Sequence, residues 1–302
     1  MVYTYTSARN LFGKLVNDSS TGTLTLADTL INTAYKEVLA SMDWPFLERG
    51  RTLSTTASTQ FYNLPADYGK LIDVTVTVSS IVYRPEEAPS REFWDDVNMN
   101  TTVESNVPIW YFIFNGQLGF YPVPSSSSNT ITYNYRRIVR DLSVADYTSG
   151  TIVSIANGGT ALVGSGTSMW TAGMAGKYIR ITTGAAANLG DGLWYEVSSV
   201  GSTTTITLAK PYLGTAIAAG SATYTMGDMM IIPEEFQILP LYRALSVFFR
   251  SVQPNADRAT EYENLYQAQM RQFKEQYGGK AESPVVGDSD TPIINPQFFI
   301  QL

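Results

Sequence analysis

Almost all the side chains able to do chemistry in this protein are carboxylates and hydroxyls, because its 302 residues include neither histidine nor cysteine. Without imidazole there is no Ser-His-Asp or Cys-His machinery and no His-ligated zinc. Without thiols there are no disulfides or thiolate metal sites, which fits assembly in a reducing compartment. Acid-base work would fall to the adjacent pairs Glu86-Glu87, Asp95-Asp96 and Glu234-Glu235, or to single acids such as Glu196. Glycoside hydrolysis needs two carboxyls about 5–10 Å apart across a sugar cleft. Sequence neighbours rarely supply that spacing, and Glu234-Glu235 stands where first-turn acids favour a helix dipole. Asp288-Ser289-Asp290 lacks the glycine and distal glutamate of a calcium loop and reads as a solvated acidic turn. Gly158-Gly159, Gly164-Ser165-Gly166 and Gly190-Asp191-Gly192 resemble phosphate loops only in glycine content. None of them leads a strand into a helix with a Lys-Ser/Thr. Arg136, Arg137 and Arg140, interleaved with Tyr133 and Tyr135, form the one basic-aromatic cluster. It either touches nucleic acid or, more plainly, ends a strand against acids such as Asp141. No catalytic residue, metal or cofactor is assigned.

The elements that would position these groups fall into three kinds. Near the N-terminus, residues 4–16 read as a short helix. A second, over about 26–42, has apolar Leu26, Leu30, Ala34, Val38 and Met42 at every fourth position, with Thr25 as its cap. It should stop before Trp44-Pro45. From Leu47 to Tyr135 the period becomes two, the mark of strands. Asn115-Gly116 joins Trp110–Phe114 to Gln117–Tyr121 as a hairpin, and Ser90 caps a short helix over 91–97. Helices return after Ile232-Pro233. One spans Glu234–Arg250, interrupted by Pro240, and one spans Asn255–Tyr277, ended by Gly278-Gly279.

Between these regions, from Tyr147 to Asp228, charge nearly vanishes. Only Lys177, Arg180, Asp191, Glu196, Lys210 and Asp228 ionise there, among Gly, Thr, Ser, Ala and Val. Six short strand patterns separated by glycine-rich turns predict a small barrel or sandwich. Its expected filling is Trp170, Tyr178, Ile179, Ile181, Trp194, Val197 and Leu208. The fold class expected is therefore α+β: a helical bundle drawn from both chain ends, an antiparallel β domain, and an inserted all-β barrel or sandwich. The scaffold would comprise residues 1–146 and 229–278, the insert 147–228, and an extended C-terminal arm 279–302.

Composition narrows the partners. The charged fraction is 16% and the net charge −7, so the molecule as a whole should not attract nucleic acid. No apolar run is long enough to span a membrane, and no basic segment followed by an apolar one marks a signal peptide. The arm carries Pro284, Pro292 and Pro296 yet ends in Ile293, Ile294, Phe298, Phe299, Ile300 and Leu302. Such a tail either folds back on its own domain or docks by strand addition on another chain. Tyr262, Tyr266, Phe273 and Tyr277 line one side of the last helix, as a core face or a possible subunit interface.

Several stretches together resemble the head-to-tail adaptor (connector, or tail-tube A-like) proteins of tailed bacteriophages. They are Ala40–Leu47, Phe61–Lys70, Arg91-Glu92-Phe93-Trp94, Gly119–Pro124, Tyr133–Arg137 and Ile232–Phe236. The resemblance covers roughly 4–146 and 229–278. It implies a non-enzymatic virion protein, assembled in the host cytoplasm, that forms a ring, commonly of twelve subunits, beneath the portal. DNA would pass through the lumen without sequence-specific binding, tail or nozzle proteins would sit below, and the C-terminal arm would grip the portal. The stretch from Tyr147 to Asp228 departs from the minimal pattern. The alternatives are a carbohydrate-binding tail accessory protein with Trp170 and Trp194 as a sugar platform, and a glycan hydrolase using Asp95 or Glu196.

Overall fold

The computed structural model describes residues 4–99, 103–143, 145–182, 190–218 and 222–278. Helix α1 (Tyr5–Val16) starts at Thr4, whose hydroxyl accepts from the Ser7 N–H, and ends at Asn17 in the left-handed region, φ 56°. Helix α2 (Thr21–Ala40) begins a turn earlier than its apolar repeat predicts. The reason is local. Ser20 caps it by accepting from the Thr23 N–H, and Asp18 in turn accepts from the Ser20 N–H at 2.8 Å. Capping chemistry, rather than the apolar stripe, sets the boundary, so Thr25 lies inside the helix. Helix α3 (Arg91–Asn98) is capped by Ser90 as expected. Near the C-terminus, Glu234–Phe236 forms one 3₁₀ turn. Helix α4 (Leu239–Ser251) then starts with Pro240 in its first turn, where a missing N–H costs nothing. Helix α5 (Ala256–Tyr277) is capped by Asn255 and ends at Gly278.

Helices α1, α2, α4 and α5 share one buried cluster, so residues more than 200 positions apart are in contact. Phe12 meets Phe248 edge-on at 5.4 Å, and Trp44 stacks on Phe273 at 4.1 Å. Both members of each pair are almost wholly buried. Such aromatic pairs add roughly 0.5–1.5 kcal/mol beyond the area they bury. Polar pins set the geometry: the Tyr35 hydroxyl accepts from the Ile231 N–H, and Gln237 donates to the Met230 and Ile232 carbonyls.

The strands between the helical segments are β1 (Glu48–Ser54), β2 (Phe61–Asn63), β3 (Tyr68–Val78), β4 (Ile81–Tyr83), β5 (Glu86–Glu87), β6 (Glu104–Ser105), β7 (Trp110–Phe114), β8 (Gln117–Tyr121), β9 (Val123–Pro124) and β10 (Thr130–Arg137). They form sheets in the orders β1-β10-β3-β4 and β2-β8-β7-β5, with β6-β9 as a small pair. The first two enclose a core of Val74, Val76, Leu118, Phe120, Ile131, Tyr133 and Tyr135. The β7–β8 hairpin turns at Asn115 and Gly116, φ 50° and 72°, the left-handed pair that a two-residue turn requires.

The remaining strands are β11 (Ile152–Ile155), β12 (Ala161–Gly164), β13 (Tyr178–Ile181), β14 (Tyr195–Ser202), β15 (Thr205–Leu208) and β16 (Tyr224–Gly227). They make one antiparallel sheet, ordered β11-β12-β15-β14-β13-β16, that curls into a half-barrel. Isolated bridges Tyr147–Met226, Ile152–Ala222 and Ile155–Ile217 reach across its open side. Its buried cluster contains five of the expected fillers: Trp170, Ile179, Ile181, Val197 and Leu208. Tyr178 and Trp194 are only half-buried, because the pleat turns Ile179 and Ile181 of β13 and Tyr195 and Val197 of β14 inward and their neighbours outward. Tyr212 and Tyr224 take the space instead.

Candidate functional site

Among the described residues, the acid pairs Glu86-Glu87, Asp95-Asp96 and Glu234-Glu235 do not converge on one site. Asp95 is paired along α3 with Arg91 at 2.9 Å, and Asp96 is exposed beside it. Glu86 and Glu87 lie exposed on the edge strand β5. Burial, and then the Glu87 charge 3.4 Å away, push the Tyr111 phenol up to about 12. Glu235 accepts from the Tyr277 hydroxyl, which holds its carboxyl below the usual range. Glu196 is bound to Arg49, so it is no free base. Among the described residues, no group of three or more acids is placed to hold a metal ion. Asp288-Ser289-Asp290 lies outside them. Gly158-Gly159 and Gly164-Ser165-Gly166 occupy turns beside β11 and β12. At Gly164 a Cβ would strike the Ser168 side chain at 2.4 Å, so this glycine serves packing.

The basic-aromatic cluster resolves into separate pairings made through space. Arg136 binds Asp43, and Arg137 bonds the Tyr178 hydroxyl. Arg140 points toward the Ala175 carbonyl at 3.5 Å. Asp141, the expected sequence neighbour, instead pairs with Lys36 at 2.7 Å. The cluster therefore does not stand as one open basic surface. Trp170 is 1% exposed and donates its indole N–H to the Tyr224 hydroxyl at 2.8 Å, so it offers no stacking platform for sugar.

The aromatic face of α5 is largely covered within the chain. Phe273 is wholly buried against Trp44 and Phe236, and Tyr266 is 5% exposed beneath Arg243. Tyr262 stacks on Phe249, and Tyr277 meets Phe46 and Phe236 edge-on. Both keep part of their rings exposed. The apolar arm residues Ile293, Ile294, Phe298, Phe299, Ile300 and Leu302 lie outside the described residues.

A model of the SU10 adaptor protein family matches residues 3–158. The chain belongs to this family. It is thus a structural adaptor of bacteriophage particles, of a family that builds rather than catalyses. The match runs from α1 through both sheets to the end of β11, and so includes the resembling stretches up to Arg137. The Ile232–Phe236 stretch falls beyond it. A search of curated proteins finds no match for the adaptor. None of its described helices is long and apolar enough to cross a membrane.

Proposed function

We propose that this adaptor assembles as a ring, of twelve subunits as the resemblance implies, between the portal and the tail in the virion neck. DNA crosses its lumen without sequence-specific binding. The observation that carries this reading is the family match over residues 3–158. The net charge of −7 supports it, since an acidic wall lets phosphate pass without sticking. So does a buried core shared by helices from both chain ends, which makes a bundle fit to stand beside its neighbours around a hole.

In this reading residues 1–146 and 229–278 form the scaffold. Residues 147–228 are an inserted module meeting further tail or nozzle proteins, and 279–302 are the arm. Ile293, Ile294, Phe298, Phe299, Ile300 and Leu302 grip the portal by strand addition and side-chain pockets. On α5, Tyr262 and Tyr277 present ring edges to the adjoining subunit, while Tyr266 and Phe273 hold them in place. Assembly takes place in the host cytoplasm before the particle is complete.

Electron microscopy of the purified chain mixed with its portal tests the ring. A closed ring seated on the portal is expected, and a monomer that ignores the portal would overturn the reading. Deleting Pro292–Leu302 should leave the subunit folded and abolish attachment. Undiminished attachment would remove the arm from the proposal.

A further inference from the structure

The half-barrel joins the rest of the chain through two strands that cross side by side, and that crossing is tightly held. Tyr147 and Met226 exchange backbone hydrogen bonds at 2.7 and 2.9 Å. The first turn of α1 grips both passing strands. Thr4 bridges Met229, the Tyr5 N–H donates to the Asp228 carbonyl, and the Thr6 hydroxyl accepts from the Asp146 N–H at 2.9 Å. Beside them Lys177 and Asp228 form a buried ion pair, 7% and 8% exposed.

Away from this crossing the seam holds a cleft spanned by a few polar contacts, Arg137 to the Tyr178 hydroxyl, Arg140 toward the Ala175 carbonyl at 3.5 Å, and Arg49 to Glu196. A cleft of about 390 Å³ separates β1, β10 and the following loop from β13 and β14. Protein interiors are close-packed, and walls that lack partner atoms forfeit dispersion contacts, so a gap of this size holds the two parts together only weakly. Its wall carries Arg49, Arg51, Arg137 and Arg140 against Asp67, Asp141, Glu196 and Asp228, so no net charge remains to select an ionic ligand. At the outer end Arg49 pairs with Glu196, their side chains 25% and 21% exposed. An ion pair that water reaches contributes little and is screened by salt.

We infer that the half-barrel turns as a unit about the clamped double crossing, with Arg49–Glu196 and Arg137–Tyr178 as the latch and the cleft as the space it moves through. This goes beyond the ring assignment and does not depend on it. The cysteine-free sequence makes the test direct. Spin labels go on Thr52→Cys in β1 and Thr207→Cys in β15, both exposed. At about 50 mM salt one distance population is expected. At about 1 M salt a second should appear or grow at least threefold. Glu196→Arg, which sets two guanidinium groups face to face, should populate the second distance already at low salt. Tryptophan fluorescence and circular dichroism should meanwhile report both parts still folded. A single distance that ignores both salt and Glu196→Arg would overturn the inference. So would a second distance that appears only together with loss of the half-barrel's folded signal.

Discussion

The helical core and the half-barrel solve the same problem from different parts of the chain, one from both ends and the other from the middle. The helical core is assembled from remote pieces: Phe12 touches Phe248, and Trp44 touches Phe273. Its polar support is ionic. Arg243 reaches Glu37 at 3.0 Å and Glu263 at 2.9 Å, and Ser246 donates to the same Glu263 carboxylate at 2.8 Å. The half-barrel is assembled from one contiguous segment; it keeps a buried Lys177–Asp228 ion pair beside the crossing, but the bonds within its core are neutral. The Tyr224 hydroxyl accepts from the Trp170 indole and donates to the Ser149 carbonyl at 2.6 Å. The contrast is between a region whose buried cluster draws on both chain ends and one whose buried cluster comes from a single segment.

The most drastic way to break this comparison is to excise residues 148–228 and bridge the gap. Because Tyr147 is hydrogen-bonded to Met226, three residues before the retained Met229, the two cut ends lie within reach of a short loop. The helical core should then unfold within a few degrees of its original midpoint by calorimetry, while the half-barrel transition disappears. Loss of both transitions would mean that the two parts are one cooperative unit. Next in size, Phe273→Ala empties a wholly buried site stacked on Trp44 and should destabilise the helical core by about 3–5 kcal/mol. Chemical denaturation would show it, with Trp170 in the half-barrel reporting no comparable shift. Tyr224→Phe makes the converse test. It leaves the buried Trp170 N–H without its acceptor, so the half-barrel should lose about 1–3 kcal/mol and the helical core nothing measurable.

The smallest effect is expected from pH. Burial alone would raise the Glu263 carboxyl, but hydrogen bonds from Gln267 and Ser246 and the charge of Arg243 outweigh it and hold it below its ordinary 4.5. A group depressed in the folded state contributes stability above its unfolded value, and that contribution fades as pH falls through the folded one. Arg243→Met should therefore cost the helical core about 1 kcal/mol near neutral pH and less in acid, because Glu263 is then protonated in both proteins. A cost that does not shrink below pH 4.5 would assign the effect to lost packing on Tyr266 instead.

Local rules carried much of this fold into view. The apolar repeat of α2, the Asn115-Gly116 turn, the Ser90 cap and six of the strand patterns each depend on neighbours within a few residues. The shortfalls have physical causes. The start of α2 depends on Asp18 stiffening Ser20, a signal outweighed by the strong apolar stripe that begins later. Trp194 faces outward because period-two alternation leaves its phase open when both neighbours are apolar enough to fill a core. The partners of Arg136 and Asp141 are Asp43 and Lys36, supplied by folding rather than by adjacency. Of the candidate interface, Phe273 and Tyr266 were legible as an apolar stripe. Their burial is decided by Trp44, Phe236 and Arg243, which lie elsewhere in the chain.

The contact between Phe12 and Phe248 also sets a schedule for synthesis. Helices α1 and α2 leave the ribosome first, and their covering helix α4 is complete only at Ser251. At about 5–20 residues per second their apolar faces stay uncovered for roughly 10–50 s after α2 emerges. During that wait the segment that makes the half-barrel is synthesised in full. Chaperones attending the nascent protein have α1 and α2 to protect.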